Sequence, residues 1–163
     1  MPIGKTRFIV DQNVGKLAKL LRLLGYDTVF FTGETDSQMV RIALSENRVI
    51  LTRDTHILKR RLVTSGKVKA ILIIADNINE QIQQVVAELG LHNRDNAFTL
   101  CLECNQPLLP LSKEEAEDRV PPYVWQTQKE YRECPLCHRI YWKGTHWEAM
   151  NRRLEGLAKD QGG

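Results

Sequence analysis

The chain has 163 residues, of which 42% are hydrophobic and 26% are charged. This composition is typical of one globular domain, alone or with a small module, and excludes a fully disordered chain. No apolar run approaches the roughly 20 residues that span a bilayer, and the first residues contain no apolar signal segment. We therefore expect a cytoplasmic protein with no membrane partner. The net charge of +3 allows a nucleic-acid partner without requiring one.

The composition changes near residue 97. Residues 1–97 carry 14 basic and 10 acidic residues, whereas residues 98–163 carry 9 and 10. All four cysteines lie in the second part. The sequence therefore predicts two domains, residues 1–97 and 98–163.

The first part alternates short apolar runs with segments of helical period. Each apolar run has the length of a buried strand, and in the segments between them apolar residues recur every three or four positions. The predicted strands are residues 7–10, 28–31, 48–51 and 68–74, and the predicted helices cover about 14–24, 37–46, 55–62 and 78–89. Four β-α repeats predict an α/β fold, with a mainly parallel sheet covered by helices on both faces.

The ends and inner faces of these helices can also be predicted. Asn13 is predicted as the N-cap of the first helix and Gly25 as the residue that ends it. Asn77 is the predicted cap of the fourth helix. The predicted inner face of the second helix consists of Met39, Val40, Ala43 and Leu44.

The second part contains shorter elements. Residues 98–100 are predicted as a strand that leads into the cysteines, and residues 131–133 and 139–142 as two strands around the second cysteine pair. Ser112 and Glu115 form a capping-box pair that opens a helical turn. A last helix is predicted after Thr145, with an apolar stripe of Trp147, Met150, Leu154 and Leu157.

The four cysteines form two CxxC pairs separated by 29 residues. They are Cys101, Cys104, Cys134 and Cys137. Four thiolates at this spacing predict a closed, structural zinc site. The residues after the pairs, Asn105 and His138, tolerate the positive φ that such turns often need. The alternatives are two disulfides, four free thiols, an iron–sulfur cluster, or a site in which His138 replaces one cysteine.

Aspartates stand where a parallel sheet exposes its functional edge. Asp11, Asp54 and Asp76 follow the first, third and fourth predicted strands, and Asp36 begins the second helix. Because the carboxyl ends of parallel strands share one edge, we expect Asp11, Asp54 and Asp76 to converge as candidate catalytic residues. Asp36, the fourth candidate, joins them if the second helix begins at that edge, where a right-handed crossover places it. Clustered carboxylates favour Mg²⁺ or Mn²⁺, which suits the cleavage of phosphodiesters.

Helix capping is the alternative role for these acids. Asp36, Asp54 and Asp76 each precede or begin a helix, where aspartate is a common N-cap. Asp11 is the exception, because Asn13 is predicted to serve as the cap there. Three acids at strand ends favour the metal site over capping.

Several motifs occur together in this chain: Val10-Asp11, residues 15–18, residues 21–28, residues 48–54, the two CxxC pairs, residues 119–121 and residues 141–146. Over residues 6–150, this combination resembles the Mut-seven C-terminal RNase family. The resemblance implies a PIN-like nuclease domain followed by a small Cys₄ zinc ribbon. It also implies a metal-dependent RNase in which Asp11, Asp36 and Asp54 bind Mg²⁺ or Mn²⁺. The family often has two adjacent acids where this chain has Thr35 and Asp36.

Basic residues supply candidate phosphate contacts. The predicted RNA-binding residues are Lys16, Lys19, Arg22, Arg53, Lys59, Arg60 and His146. The alternatives are solvated helix faces for the lysines, an ion pair with an acid for Arg22, and a structural ion pair for Arg53. Tyr141, Trp142 and Trp147 are either a stacking surface for RNA bases or part of the core of the second part.

The sequence thus predicts a ribonuclease that hydrolyses single-stranded RNA with catalytic Mg²⁺ or Mn²⁺ and structural Zn²⁺. One alternative is a non-catalytic RNA-binding module, which the missing acid at Thr35 favours. Another is a protein-interaction adaptor built on the zinc ribbon.

Overall fold

The computed structural model describes residues 6–91, 96–144, 148, 149 and 152. The chain divides into two compact units, Met1–Asn105 and Gln106–Gly163. The first unit therefore includes the first cysteine pair, which the predicted boundary after residue 97 assigns to the second domain. The assignment of the two domains stays a prediction. In the part of the chain that the structure describes, no helix is long and apolar enough to cross a membrane.

The first unit is built on a four-stranded parallel sheet. Its strands are β1 (Phe8–Val10), β2 (Thr28–Phe30), β3 (Val49–Thr52) and β4 (Ala70–Leu72). They lie in the order β2-β1-β3-β4, and Ile9 of β1 pairs with Val29 and Ile50 on its two sides. This sheet confirms the predicted α/β fold.

Helices connect these strands. A 3₁₀ turn covers Gln12–Val14, and the α-helices are α1 (Gly15–Leu23), α2 (Asp36–Glu46), α3 (Thr55–Leu58), α4 (Arg61–Thr64) and α5 (Ile78–Leu89). The single helix predicted over 55–62 is wrong. Two short helices form there, because Arg60 adopts an extended conformation between them (φ −62°, ψ 142°).

Both faces of the sheet are covered. On one face, Ile9 and Ile50 form a core cluster with buried residues of α2 and α3, among them Met39 and Ile57. The neighbours of Ile9 along β1 point to the other face. There α1 contacts β1 and β2 and packs against α5. Leu17, Leu20 and Leu21, which recur at helical spacing in α1, are buried. Leu44 of α2 is 45% exposed, so its assignment to the inner face of that helix is wrong.

Two sequence predictions about helix and strand ends also need correction. Asp11, not Asn13, is the N-cap of the 3₁₀ turn, since its side chain accepts a hydrogen bond from the Asn13 N–H. Residues 96–98 form a turn and not the start of a strand. Phe98 has φ +65°, is buried, and donates its N–H to the Leu23 carbonyl, which fixes the turn against the end of α1.

The second unit contains a three-stranded antiparallel sheet in the order β5-β6-β7. Its elements are β5 (Leu109–Leu111), α6 (Lys113–Ala116), α7 (Pro122–Thr127), β6 (Tyr131–Glu133) and β7 (Ile140–Tyr141). The predicted capping box of Ser112 and Glu115 is confirmed. Trp142 packs against the apolar cluster of this unit, as the core interpretation expected. Thr145, His146, Trp147, Met150, Leu154 and Leu157 lie outside the described residues.

Candidate active site and metal centre

The strand order creates a topological switch point between β1 and β3. The chain passes from β1 to β2 on one side of β1 and then returns to β3 on its other side. Ligands of open parallel sheets bind outside the carboxyl ends of the strands at such a point. In this chain, Asp11 follows β1 there, and Thr52 ends β3 two residues before Asp54.

A cleft of about 190 Å³ opens at this edge of the sheet. Three of the predicted aspartates, Asp11, Asp36 and Asp54, line it together with Glu34. The other lining residues are polar or apolar, and no lysine or arginine is among those that the structure describes. The cleft is therefore strongly negative, which favours a cation.

Two of the cleft aspartates, Asp11 and Asp54, form hydrogen bonds with the same buried hydroxyl group. The Thr52 hydroxyl donates to Oδ2 of Asp11 and accepts a hydrogen bond of 3.0 Å from the Asp54 N–H. Thr52 itself is fully buried. The remaining contacts cap helices: Asp11 Oδ1 accepts from the Asn13 N–H at 3.0 Å, and Asp54 Oδ1 accepts from the His56 N–H at 2.9 Å. Both carboxylates are thereby fixed at the switch point.

Asp36 reaches the cleft in a different way. It is the first residue of α2, but Thr35 is the N-cap, in a capping box with Gln38. The Gln38 side chain also accepts a hydrogen bond of 2.9 Å from the Glu34 N–H. Because Thr35 already caps the helix, the carboxylate of Asp36 is not required for capping.

Asp76 lies apart from the other three predicted aspartates. Its side chain is 94% exposed, and it is not among the residues that line the cleft. Arg53 holds it in an ion pair of 2.7 Å and donates a second hydrogen bond of 2.6 Å to the Ala75 carbonyl. This geometry matches the structural ion pair that was one of two expectations for Arg53.

The four cysteines form the most compact group of ligand atoms. Among the described residues, they alone bring three or more His, Cys, Asp or Glu ligand atoms within 4.8 Å of one another. Tetrahedral zinc with Zn–S bonds of about 2.3 Å places its sulfurs roughly 3.8 Å apart, so the cluster can hold a zinc ion. The cleft carboxylates are spread more widely.

The backbone around each cysteine pair supports this geometry. Asn105 and His138 have φ values of +59° and +65°, as predicted. Each donates its N–H, at 2.9 Å, to the carbonyl of the first cysteine of its pair. All four cysteines are thiols and not disulfides. The predicted Cys₄ arrangement is confirmed.

The comparison with protein families adds an independent observation. A family model described as the Mut7-C RNAse domain matches residues 6–154. The chain belongs to this family. Membership of the Mut7-C RNAse family indicates a nuclease-like role, with RNA as the substrate class. The comparisons with curated proteins and with solved structures gave no significant match.

Arg22 of this Mut7-C RNAse domain is a structural residue of the first cysteine pair. It is buried, and its guanidinium donates to the carbonyls of Thr28, Leu102 and Glu103 at 3.0, 2.7 and 3.4 Å. Burial lowers the pKa of Arg22, and the negative charge of Cys101 opposes that shift. These contacts engage Arg22 within the protein, and we leave it out of the proposed RNA contacts.

The other predicted RNA contacts are surface residues or lie outside the described residues. Lys16, Lys59 and Arg60 are exposed, and Lys19 forms an ion pair of 2.8 Å with Glu103. His146 lies outside the described residues. Their roles toward RNA stay predictions.

Two residues of the candidate site, Thr52 and Glu34, carry little signal in the sequence. Thr52 ends a buried strand, and only the position of Asp54 two residues later signals its role. Glu34 belongs to the loop after β2, and only its closeness to Thr35 and Asp36 in the chain points to the cleft.

Proposed function

We propose that the chain is a divalent-metal-dependent ribonuclease that hydrolyses single-stranded RNA at the switch-point cleft. The observation that carries this proposal is the set of four carboxylates, Asp11, Glu34, Asp36 and Asp54, around one cleft. No lysine or arginine of the described part of the chain lines that cleft. Such a concentration of like charge is unfavourable unless a cation compensates it.

The donor set fits Mg²⁺ or Mn²⁺. Carboxylate oxygens are hard ligands, and Mg²⁺ keeps several waters and needs only one or two protein carboxylates besides substrate phosphates. Among the described residues, the cleft acids do not form a compact ligand cluster, which suits an ion that keeps part of its water shell. Such an ion, when bound, neutralises phosphoryl charge and makes water more acidic.

The four acidic residues of the cleft are held in different ways. Asp11 and Asp54 are oriented by Thr52 and by the helix ends that they cap, so they offer pre-positioned oxygens. Asp36 and Glu34 line the same cleft, from the segment before α2 and from its first residue. Glu34 supplies a second acid beside Asp36, although position 35 is a threonine.

The RNA backbone would contact a basic surface that begins beside the cleft. Residues 55–69, which follow Asp54 directly, contain five basic residues and no acidic one. These residues are Lys59, Arg60, Arg61, Lys67 and Lys69, and all are exposed. Lysine and arginine side chains on such a surface bind phosphates without reading sequence.

The zinc site would have a structural role. Four thiolates complete a tetrahedral coordination sphere and leave no open position for substrate or water. Cys101 and Cys134 are fully buried, which further separates this site from solvent. The two metals would therefore have distinct tasks, folding for Zn²⁺ and hydrolysis for Mg²⁺ or Mn²⁺.

A non-catalytic RNA-binding module is the second candidate. The observation that favours it is that Asp11 and Asp54 both cap helices. In that case their carboxylates would have a complete structural explanation, and RNA would bind without being cut.

The Asp36→Asn variant separates the two candidates, because no hydrogen bond of the Asp36 side chain is found among the described residues. We expect wild-type protein to cleave labelled single-stranded RNA in Mn²⁺, and Asp36→Asn to lose about 100-fold or more of that rate through loss of a metal ligand. Asp76→Asn is the matched control, since Asp76 lies outside the cleft, and it should cleave at the wild-type rate. Binding without cleavage by the wild-type protein would establish the non-catalytic module.

A further inference from the structure

A second concave site of the first unit lies next to the cleft. It is a groove of about 340 Å³ between the exposed side of α1 and the end of β2. It is lined by Gly15, Lys16, Ala18, Lys19, Arg22, Phe30 and Glu103. This groove differs from the cleft in character, because it combines an aromatic ring and lysines with a single acid.

Phe30 forms an exposed aromatic wall of this groove. It is the last residue of the edge strand β2 and remains 37% exposed, whereas most large apolar residues of the sheet are buried. Gly15 lies against the ring: a Cβ atom at that position would stand 3.0 Å from Phe30 Cε2. The glycine therefore lets α1 begin in close contact with the ring, which restricts the ring without covering it.

The groove also carries charges that complement a nucleotide. Lys16 is exposed, and no ion pair of its ammonium group is found in residues 6–91 or 96–144. Lys19 is held by Glu103 at 2.8 Å. A flat apolar ring beside an available cation is the combination that binds an unpaired base and its phosphate.

The same short segments line the groove and the cleft. Gln12 and Asn13 line the cleft, and Gly15 and Lys16, which follow closely, line the groove. Phe31 lines the cleft, and its neighbour Phe30 lines the groove. A strand with one phosphate at the carboxylates can therefore place a nearby nucleotide against Phe30.

We propose that the groove is a base-binding subsite, in which Phe30 stacks on an unpaired RNA base and Lys16 contacts a phosphate of the same strand. This inference rests on the proposed function, because it takes RNA as the ligand. It adds a stacking residue that would position the substrate and favour single-stranded RNA, since bases paired in a duplex are not available for stacking.

The test measures RNA affinity separately from cleavage. Labelled single-stranded RNA is titrated with the full chain carrying Asp36→Asn, so that the RNA stays intact. Adding Phe30→Leu, which keeps apolar bulk but removes the flat ring, should weaken binding about five- to tenfold. Tyr123→Leu is the matched control, because Tyr123 is an aromatic residue of the second unit that is 69% exposed, and it should leave affinity unchanged. Equal affinities of the Phe30→Leu and parent proteins would overturn the proposal.

A second measurement does not depend on the folding of a variant. RNAs with a single abasic nucleotide are compared across successive positions, using protein with an intact Phe30. Stacking predicts one position at which removal of the base weakens binding by a similar factor. A uniform response at every position would overturn the subsite. Because both measurements use affinity, they stay informative if the wild-type protein fails to cleave RNA, an outcome that would remove only the nuclease proposal.

Discussion

Thr52 is the residue at which the two aspartates of the switch point are joined. Its hydroxyl group lies between Oδ2 of Asp11 and the N–H of Asp54, and it is fully buried. A buried polar group that loses its partner costs free energy, because water cannot replace the lost hydrogen bond. The Asp11 carboxylate and the Asp54 backbone therefore share one small side chain as a partner.

We predict that Thr52→Val lowers the free energy of unfolding by about 1–3 kcal/mol and also lowers the cleavage rate, because the Asp54 N–H and Asp11 lose a partner. Thr52→Ser keeps the hydroxyl and should retain most of the activity. Urea denaturation and RNA cleavage would be measured for both variants. Identical cleavage by the two variants would show that the hydroxyl does not position the acids.

Asp27 contributes to the pH dependence of stability in the first unit. Burial would raise the pKa of its carboxyl, but hydrogen bonds from Arg48 and Asn105 and the charges of Arg48 and Arg7 outweigh burial and lower it. The pKa of Asp27 is lower in the folded protein than its value near 3.8 in the unfolded chain. The ionised carboxylate therefore stabilises the folded state at a pH above 3.8, and this contribution is lost as the pH falls through the pKa of the folded protein.

We therefore expect the free energy of unfolding to decrease as the pH is lowered below about 4. Asp27→Asn should be less stable than the wild type at neutral pH and should show a weaker decrease at low pH. Asp76→Asn serves as control, because that side chain is 94% exposed. Parallel pH profiles of wild type and Asp27→Asn would contradict the assignment.

Hydrogen bonds connect the turn at Cys101–Cys104 to the end of α1 and to the start of β2. Arg22 of α1 donates to the carbonyls of Leu102 and Glu103 within the turn and to that of Thr28. Asn105 adds a hydrogen bond of 2.6 Å to Asp27 and accepts one of 3.0 Å from the Thr28 N–H. The metal centre is thereby connected to the sheet.

Replacement of Arg22 by methionine should destabilise this connection by about 2 kcal/mol or more, because buried carbonyls lose their donors. Lys19→Gln, three residues earlier on the same helix, removes only an exposed ion pair with Glu103 and should cost less than about 1 kcal/mol. Chemical denaturation of both variants provides the comparison. A small cost for Arg22→Met would mean that its hydrogen bonds are replaced by water.

The elements themselves were largely predictable from the sequence, and their ends were predictable only in part: Asn77 caps α5 as expected, but the start of α1 differs. Apolar spacing identified α1 and α5 because burial on one face imposes a helical period. The residue type of Asn13 permits a capping role, but Asp11 forms the capping hydrogen bond. The residues around Phe98 are typical of a strand, although contact with the end of α1 turns the chain there. Such contacts between distant segments are invisible in a local pattern.

The candidate site could likewise be predicted from the sequence only in part. Parallel topology brings the acids that follow β1 and β3 to one edge, so Asp11 and Asp54 could be predicted to lie together. Asp76 follows the edge strand β4 and forms an ion pair with Arg53, and it does not line the cleft. The cysteine cluster could be predicted more completely than the cleft, because each CxxC pair forms a local turn of fixed geometry.

For the whole molecule, zinc binding and folding should be inseparable. We predict about one zinc per chain in metal analysis, because four thiolates form a complete tetrahedral site. Cys134→Ser should lose the ion and unfold at lower denaturant concentration, since the metal contributes directly to folding. His138→Ala is the control: this side chain is 70% exposed and contacts Glu133, and the variant should retain zinc. Retention of zinc by Cys134→Ser would contradict the four-cysteine site.

The most direct test of the account is the location of Mn²⁺ in crystals of the full chain soaked with this ion. We predict anomalous density in the switch-point cleft, within coordination distance of Asp36 and of Asp11 or Asp54, and its loss in Asp36→Asn. Zinc at the cysteines serves as an internal reference, because it should remain in both crystals. Density at the cysteines with none at the carboxylates would contradict a metal-dependent hydrolase and leave an RNA-binding fold with a structural zinc.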